Sequence, residues 1–169
     1  DPATPLLVID LHDTGDVRLM NDGSVVPTPI RVEKYGRDTF WEAVLSDIDG
    51  QSAGNGVLEL MRRRTKDVYG KMGINNDDNE IRLNDPYKGG YATRYIGTIL
   101  PKKLEVWGFE NAVQRINAVQ IEIPRHRFMP DEQFQVIDII GIAREAHMLQ
   151  EILTATGISL TDQATKITR

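Results

Sequence analysis

The sequence predicts an α/β domain, a mixed sheet flanked by helices, on three observations. Leu6-Leu7-Val8-Ile9 leads into Asp10-Leu11-His12, the run of a buried strand that turns polar at its C-terminal end. Far downstream, Ala118-Val119-Gln120-Ile121-Glu122-Ile123 alternates with period two. Between and after these strands lie stretches with helical spacing, and strands alternating with helices pack as a sheet covered on both faces.

Composition narrows the function. The chain has 169 residues, 40% hydrophobic and 27% charged, which is globular composition. With no repeat, low-complexity tract or composition break, residues 1–169 read as a single domain. The net charge of −5 argues against a nucleic-acid partner, which would need a basic footprint. Apolar runs of four or five residues argue against a membrane. There are no cysteines, which removes disulfides, thiolate zinc sites and a cysteine nucleophile. Metal chemistry must then use the three histidines, His12, His126 and His147, with carboxylates. The chain opens on Asp1 rather than methionine and so reads as a processed or partial chain. Without cysteine or a signal peptide, the expected location is the cytoplasm.

The elements follow in order. The first strand ends in the turn cluster Asp13-Thr14-Gly15-Asp16. Residues 17–20 form a short extended piece closed by Asn21-Asp22-Gly23-Ser24, and Pro27 and Pro29 mark a long loop. Asp38 or Thr39 caps a helix from Phe40 through Leu45 that ends near Asp49-Gly50. Gly54-Asn55-Gly56 opens a second helix over 57–69, with Val57, Leu60, Met61 and Val68 on one face and Arg62-Arg63-Arg64 largely on the other. Ile81-Arg82-Leu83 is a short strand, residues 91–100 have extended character, and Pro101-Lys102-Lys103 turns the chain. Residues 110–123 are ambiguous in their first half and strand in their second. Pro130-Asp131 begins the longest helix, through about Thr154, with Phe134, Ile137, Ile140 and Leu149 among its apolar positions.

Three polar groupings stand out. Asp10 and His12 are two apart on a strand, so they share a face at its carboxyl end, where α/β sheets collect ligands. His12 there is either a metal ligand oriented by Asp10 or a histidine satisfied by hydrogen bonds. Asn84-Asp85-Pro86-Tyr87-Lys88-Gly89-Gly90-Tyr91 offers two glycines for close backbone approach, with Lys88 and then Arg94 as anion-holding cations; an ordinary surface turn would look the same. Gln120 and Glu122 share a strand face opposite Val119, Ile121 and Ile123. An acid in a covered strand needs a partner or a function. Glu122 is either a general base for water activation or paired with Arg125 or a lysine at the sheet margin. The acidic stretches Asp47-Ile48-Asp49-Gly50 and Asn75-Asn76-Asp77-Asp78-Asn79-Glu80 lack calcium-loop spacing.

In this order the three segments Leu7-Val8-Ile9-Asp10-Leu11-His12, Leu83 to Tyr91, and Ala118 to Arg125 resemble the N-formylglutamate amidohydrolase family. The helix at 57–69 and Met129-Pro130-Asp131-Glu132 resemble that family as well. The resemblance implies a fold similar to the zinc carboxypeptidases and phosphorylase/hydrolase-like proteins. It implies a metal-dependent hydrolase that cleaves the formyl or acyl amide of an acidic amino acid, such as N-formyl-L-glutamate, in histidine degradation. By position, His12 corresponds to a ligand of one zinc ion and Glu122 to the catalytic carboxylate, while Asp10 keeps the orienting role that its spacing from His12 suggests. Gly89, Gly90 and Arg125 match pocket-forming positions of the family, and a cation, Lys88, Arg94 or Arg125, would hold the substrate carboxylates. A zinc with an open position polarises an amide carbonyl and lowers the pKa of bound water to about 7.

Family members carry an upstream segment with a further histidine and carboxylate for the zinc. Here nine residues precede Asp10 and none is histidine. The expectation is therefore an incomplete site that another chain or segment completes, or else a non-catalytic binding or assembly subunit that keeps the family fold.

Overall fold

The computed structural model describes residues 5–14, 17–19, 22–27, 31–34, 37–40, 43–73, 81–85, 87–125 and 138–167. The readings on Gly15-Asp16, Pro29, residues 75–80, Pro86, His126, residues 129–132, Phe134 and Ile137 lie outside these.

A four-stranded mixed sheet has the order β1 (Leu6–Thr14), β8 (Ile116–Pro124), β6 (Ala43–Ser46), β7 (Ile81–Leu83). β1 runs parallel to β8, β8 antiparallel to β6, and β6 parallel to β7. Every residue of β8 but the first is buried, as befits a central strand. β1 pairs only with β8 among the described residues and leaves Leu6 and Leu11 about half exposed. Two small antiparallel pairs stand apart, β2 (Val17–Leu19) with β3 (Val25–Pro27) and β4 (Arg31–Lys34) with β5 (Arg37–Phe40).

One sheet face is apolar. Leu45, Val119, Ile121 and Ile123 meet Val57, Leu60, Met61 and Val68 of α1 (Val57–Lys71) and Met148 and Ile152 of α5 (Ile139–Ile167). The residues expected on the apolar face of α1 are all buried there. Gly73, at φ 72°, lets the chain turn after the helix, a conformation that suits glycine. On the other face, over β8, lie α2 (Tyr91–Arg94) and a π-helical turn (Tyr95–Ile99), which runs on into α3 (Leu100–Val106). The remaining element, α4 (Ala112–Arg115), leads into β8. Among the described residues no helix is long and apolar enough to cross a membrane.

Five expectations are corrected. Of the helix expected from Phe40 through Leu45, the described residues are strand instead, Phe40 ending β5 and 43–45 lying in β6, whose four residues are all buried; consecutive buried positions have no periodicity to separate strand from helix. The extended reading of 91–100 gives way to helix. There Gly97 lets the π turn lie against the Ser52 backbone with no room for a Cβ, a tertiary contact that outweighs the local preference of Tyr, Thr and Ile for strands. Pro101 is buried in the first turn of α3, where its missing N–H does no harm, rather than in a turn. Residues 25–27, expected as loop, form the second strand of a hairpin. The helical assignment of α5 begins at Ile139 among the described residues, with Ile140 80% exposed rather than in the core.

Candidate functional site

The parallel register sets Asp10 opposite Gln120 and His12 opposite Glu122. With period two, these four side chains share the sheet face opposite the apolar core. His12 Nε2 lies 2.9 Å from Asp10 Oδ1, and its Nδ1 lies 4.0 Å from Glu122 Oε1. Asp10 accepts a second hydrogen bond, 2.8 Å, from the hydroxyl of Thr93. The Gln120 amide donates to Glu122 at 2.6 Å and accepts the backbone N–H of Gly90. The His12 side chain is 45% exposed while that of Glu122 is 7% exposed, so the pair presents its imidazole to solvent and its carboxylate to the interior.

The glycine segment is held over this face by the turn after β6. Ser46 Oγ donates to the Tyr87 carbonyl, and Ile48 N–H donates to the Lys88 carbonyl at 2.7 Å. Asn84 bonds the buried Asp47, which also accepts the Gly50 N–H at 2.8 Å. Ile48 and Asp49 adopt φ of 56° and 53°, an uncommon state for a β-branched residue and one that the surrounding bonds enforce. Gly89 has φ 106° and sits on the Ile48 side chain, so a Cβ there would be both strained and blocked. A Cβ on Gly90 would stand 3.0 Å from Gln120 Oε1 and 3.8 Å from Asp10 Oδ2. The second glycine is what admits the backbone to the polar face.

The structure thus brings Asp10, His12, Glu122 and Gly90 together, with Gly89 beside them. The cations fare differently. Lys88 is 67% exposed and pairs with Asp49 at 2.9 Å. Arg125 donates to Asp13, across the end of β1 and β8. Arg94 is exposed, and its side chain makes no ion pair among the described residues. Asp47, Asn84 and Thr93 are supporting residues that the sequence reading did not single out as site residues; only the asparagine-glycine-rich turn chemistry around Asn84 hinted at any of them.

At the ends of β1 and β8 a cavity of about 390 Å³ opens towards α5, lined by His12, Asp13, Ile123, Glu145 and Leu149 among others. It places apolar surface beside the imidazole.

A catalytic zinc takes about three protein ligands and keeps one position open. Among the described residues no three His, Asp or Glu side chains are grouped so as to hold a metal ion. His12 already has Nε2 on Asp10. The described residues therefore do not make the expected zinc site by themselves.

The fold is similar to that of a solved N-formylglutamate amidohydrolase from Ralstonia eutropha JMP134, with a TM-score of 0.50 and 21% sequence identity. The likeness covers 92% of this chain and 44% of that one, so the chain spans less than half of that protein's length. No family model matches the sequence, and no curated protein does. What the likeness shows is the fold, which in this chain is α/β with a mixed sheet flanked by helices.

Proposed function

We propose that this chain carries part of a hydrolase site acting on the amide of a small N-acyl amino acid, with N-formyl-L-glutamate as reference substrate. The same reading takes the fold to be of the zinc-carboxypeptidase kind, residues 1–169 to be one domain, and the setting to be cytoplasmic histidine degradation. The observation that carries it is the pairing of His12 with Glu122 at 4.0 Å on one sheet face under the glycine segment. With Nε2 donating to Asp10, the Nδ1 lone pair and the Glu122 carboxylate are both acceptors, and a water molecule donating a proton to each suits their separation. Glu122 takes the proton as that water attacks the acyl carbon, then delivers it to the departing amine. Asp10 keeps the ring in register.

Gly89 and Gly90, taken in this reading as part of the substrate pocket, let their segment pack on Ile48 and Gln120 and so bring its backbone to the polar face. Of the three cations, Arg94 is assigned the substrate carboxylates, since Lys88 and Arg125 are engaged by Asp49 and Asp13. Lys88 and Arg125 shape the rim through Asp49 and Asp13. A zinc ion on His12 would need the Nδ1 lone pair here given to the water, since Nε2 is engaged by Asp10, and would take its other ligands from another chain or segment.

The test is formate release from N-formyl-L-glutamate with zinc supplied. Turnover by the folded chain that Glu122→Gln abolishes supports the reading. No release from folded protein, alone or with a completing chain, sinks it. A second reading, a binding or assembly subunit without catalysis, is favoured by two features of the described residues: none of their His, Asp and Glu side chains form a set of three ligands, and none of them pairs with the outer side of β1.

A further inference from the structure

Thr93 belongs to none of the three motifs, yet it is fully buried and its hydroxyl ends on the candidate site. Two other helical threonines bond to their own helix. Thr65 donates to the Met61 carbonyl at 2.9 Å, and Thr98 to the Arg94 carbonyl at 2.6 Å, each four residues back. Thr93 stands in the first turn of α2, after Gly90 in extended conformation, and its hydroxyl reaches instead to Asp10 Oδ2. Its β-branched side chain has few rotamers, so the hydroxyl is delivered in a fixed direction. Asp10 Oδ1 then meets His12 Nε2. Three residues earlier on the same segment, Gly90 N–H fixes Gln120, and Gln120 fixes Glu122. Two hydrogen-bonded chains leave one short stretch and end on the two groups that face each other.

We propose that Thr93 is a positioning residue that sets the orientation and tautomer of His12 through Asp10. The Gly90–Thr93 stretch thereby places both halves of the site as one unit. An Asp10 carboxylate pinned on one oxygen by Thr93 presents the other to the imidazole and selects the Nε2–H tautomer, which turns the Nδ1 lone pair towards Glu122. The kinetic consequence rests on the hydrolase reading; the tautomer does not.

The experiment is long-range proton–nitrogen NMR of the 15N-labelled full chain at about pH 8.5, where an ordinary imidazole is neutral. The His12 signals are assigned with His12→Gln, and folding is checked by circular dichroism. The intact chain is expected to show a dominant Nε2–H tautomer, Thr93→Val a mixture, and Thr93→Ser a return to the single form. Asp10→Asn, on a side chain at the edge of the sheet, should switch the ring to Nδ1–H and supplies a second route should Thr93→Val not fold. Where turnover is present, Thr93→Val should lower kcat about tenfold or more with KM little changed. A folded Thr93→Val with the tautomer of the intact chain, or an unchanged tautomer in Asp10→Asn, overturns the proposal. Absent turnover with the expected tautomer changes would overturn the hydrolase reading and leave the positioning role standing.

Discussion

Asn84 holds Asp47 with both ends of its amide: Nδ2 donates to the carboxylate at 2.8 Å, and Oδ1 accepts the Asp47 backbone N–H at 3.0 Å. Asn84 itself sits at φ 54°, where asparagine is among the few tolerated side chains. Because Asp47 is buried, losing the partner leaves a carboxylate short of donors. Asn84→Ala is expected to lower stability by about 2–3 kcal/mol. Urea unfolding with an unchanged m-value is the measurement, and a change within about 0.5 kcal/mol would contradict it.

The two glycines should separate in their effects. Gly89→Ala forces a left-handed φ and a contact with Ile48, so it should destabilise by about 1–3 kcal/mol. Gly90→Ala has an ordinary φ of −87° but pushes on Gln120 Oε1. It should leave the melting temperature nearly unchanged while displacing Gln120 and, through it, Glu122. Turnover, or failing that the tautomer spectrum, should therefore respond to Gly90→Ala more than its stability does.

Zinc content follows from the grouping of ligands. The chain purified without added metal is expected to hold well under one zinc per molecule by elemental analysis, since the described residues lack a set of three ligands. One zinc per chain, lost in His12→Ala, would mean that residues elsewhere complete the set.

Asp22 provides a pH marker away from the site. The Ser24 hydroxyl, and then its backbone N–H, donate to the carboxylate and hold its pKa below the ordinary value. A lowered folded-state value means that this turn's contribution is present above the ordinary carboxylate range and is lost as pH falls through the lowered value. Ser24→Ala should move the Asp22 titration upwards in carboxyl-detected NMR.

Legibility followed how local each signal was. The strand at 118–123 could be read because its alternation puts Gln120 and Glu122 on one face and three apolar residues on the other, a pattern with few other meanings. The α1 stripe was legible for the same reason. Residues 43–46 were not, because four consecutive buried positions carry no period. The helix at 91–99 has no local signal, because it depends on Gly97 meeting Ser52, 45 positions away in the chain. His12 and Glu122 were candidates from sequence, but that they face one another follows only from the β1–β8 register. Thr93 could not have been singled out: nothing in Tyr91-Ala92-Thr93-Arg94 signals a bond across 83 residues.

The position of β1 at the side of the sheet gives the two arms of the site unequal tenure. Glu122 and Gln120 ride on the central strand and share the fate of the core, whereas Asp10 and His12 ride on a strand bonded along one side among the described residues. Fraying of β1 alone would part the imidazole from the carboxylate while α1, α5 and the inner strands stay folded. Amide exchange should therefore run faster in 6–14 than in 117–124. Whatever docks along that strand would govern how much of the time the site exists at all.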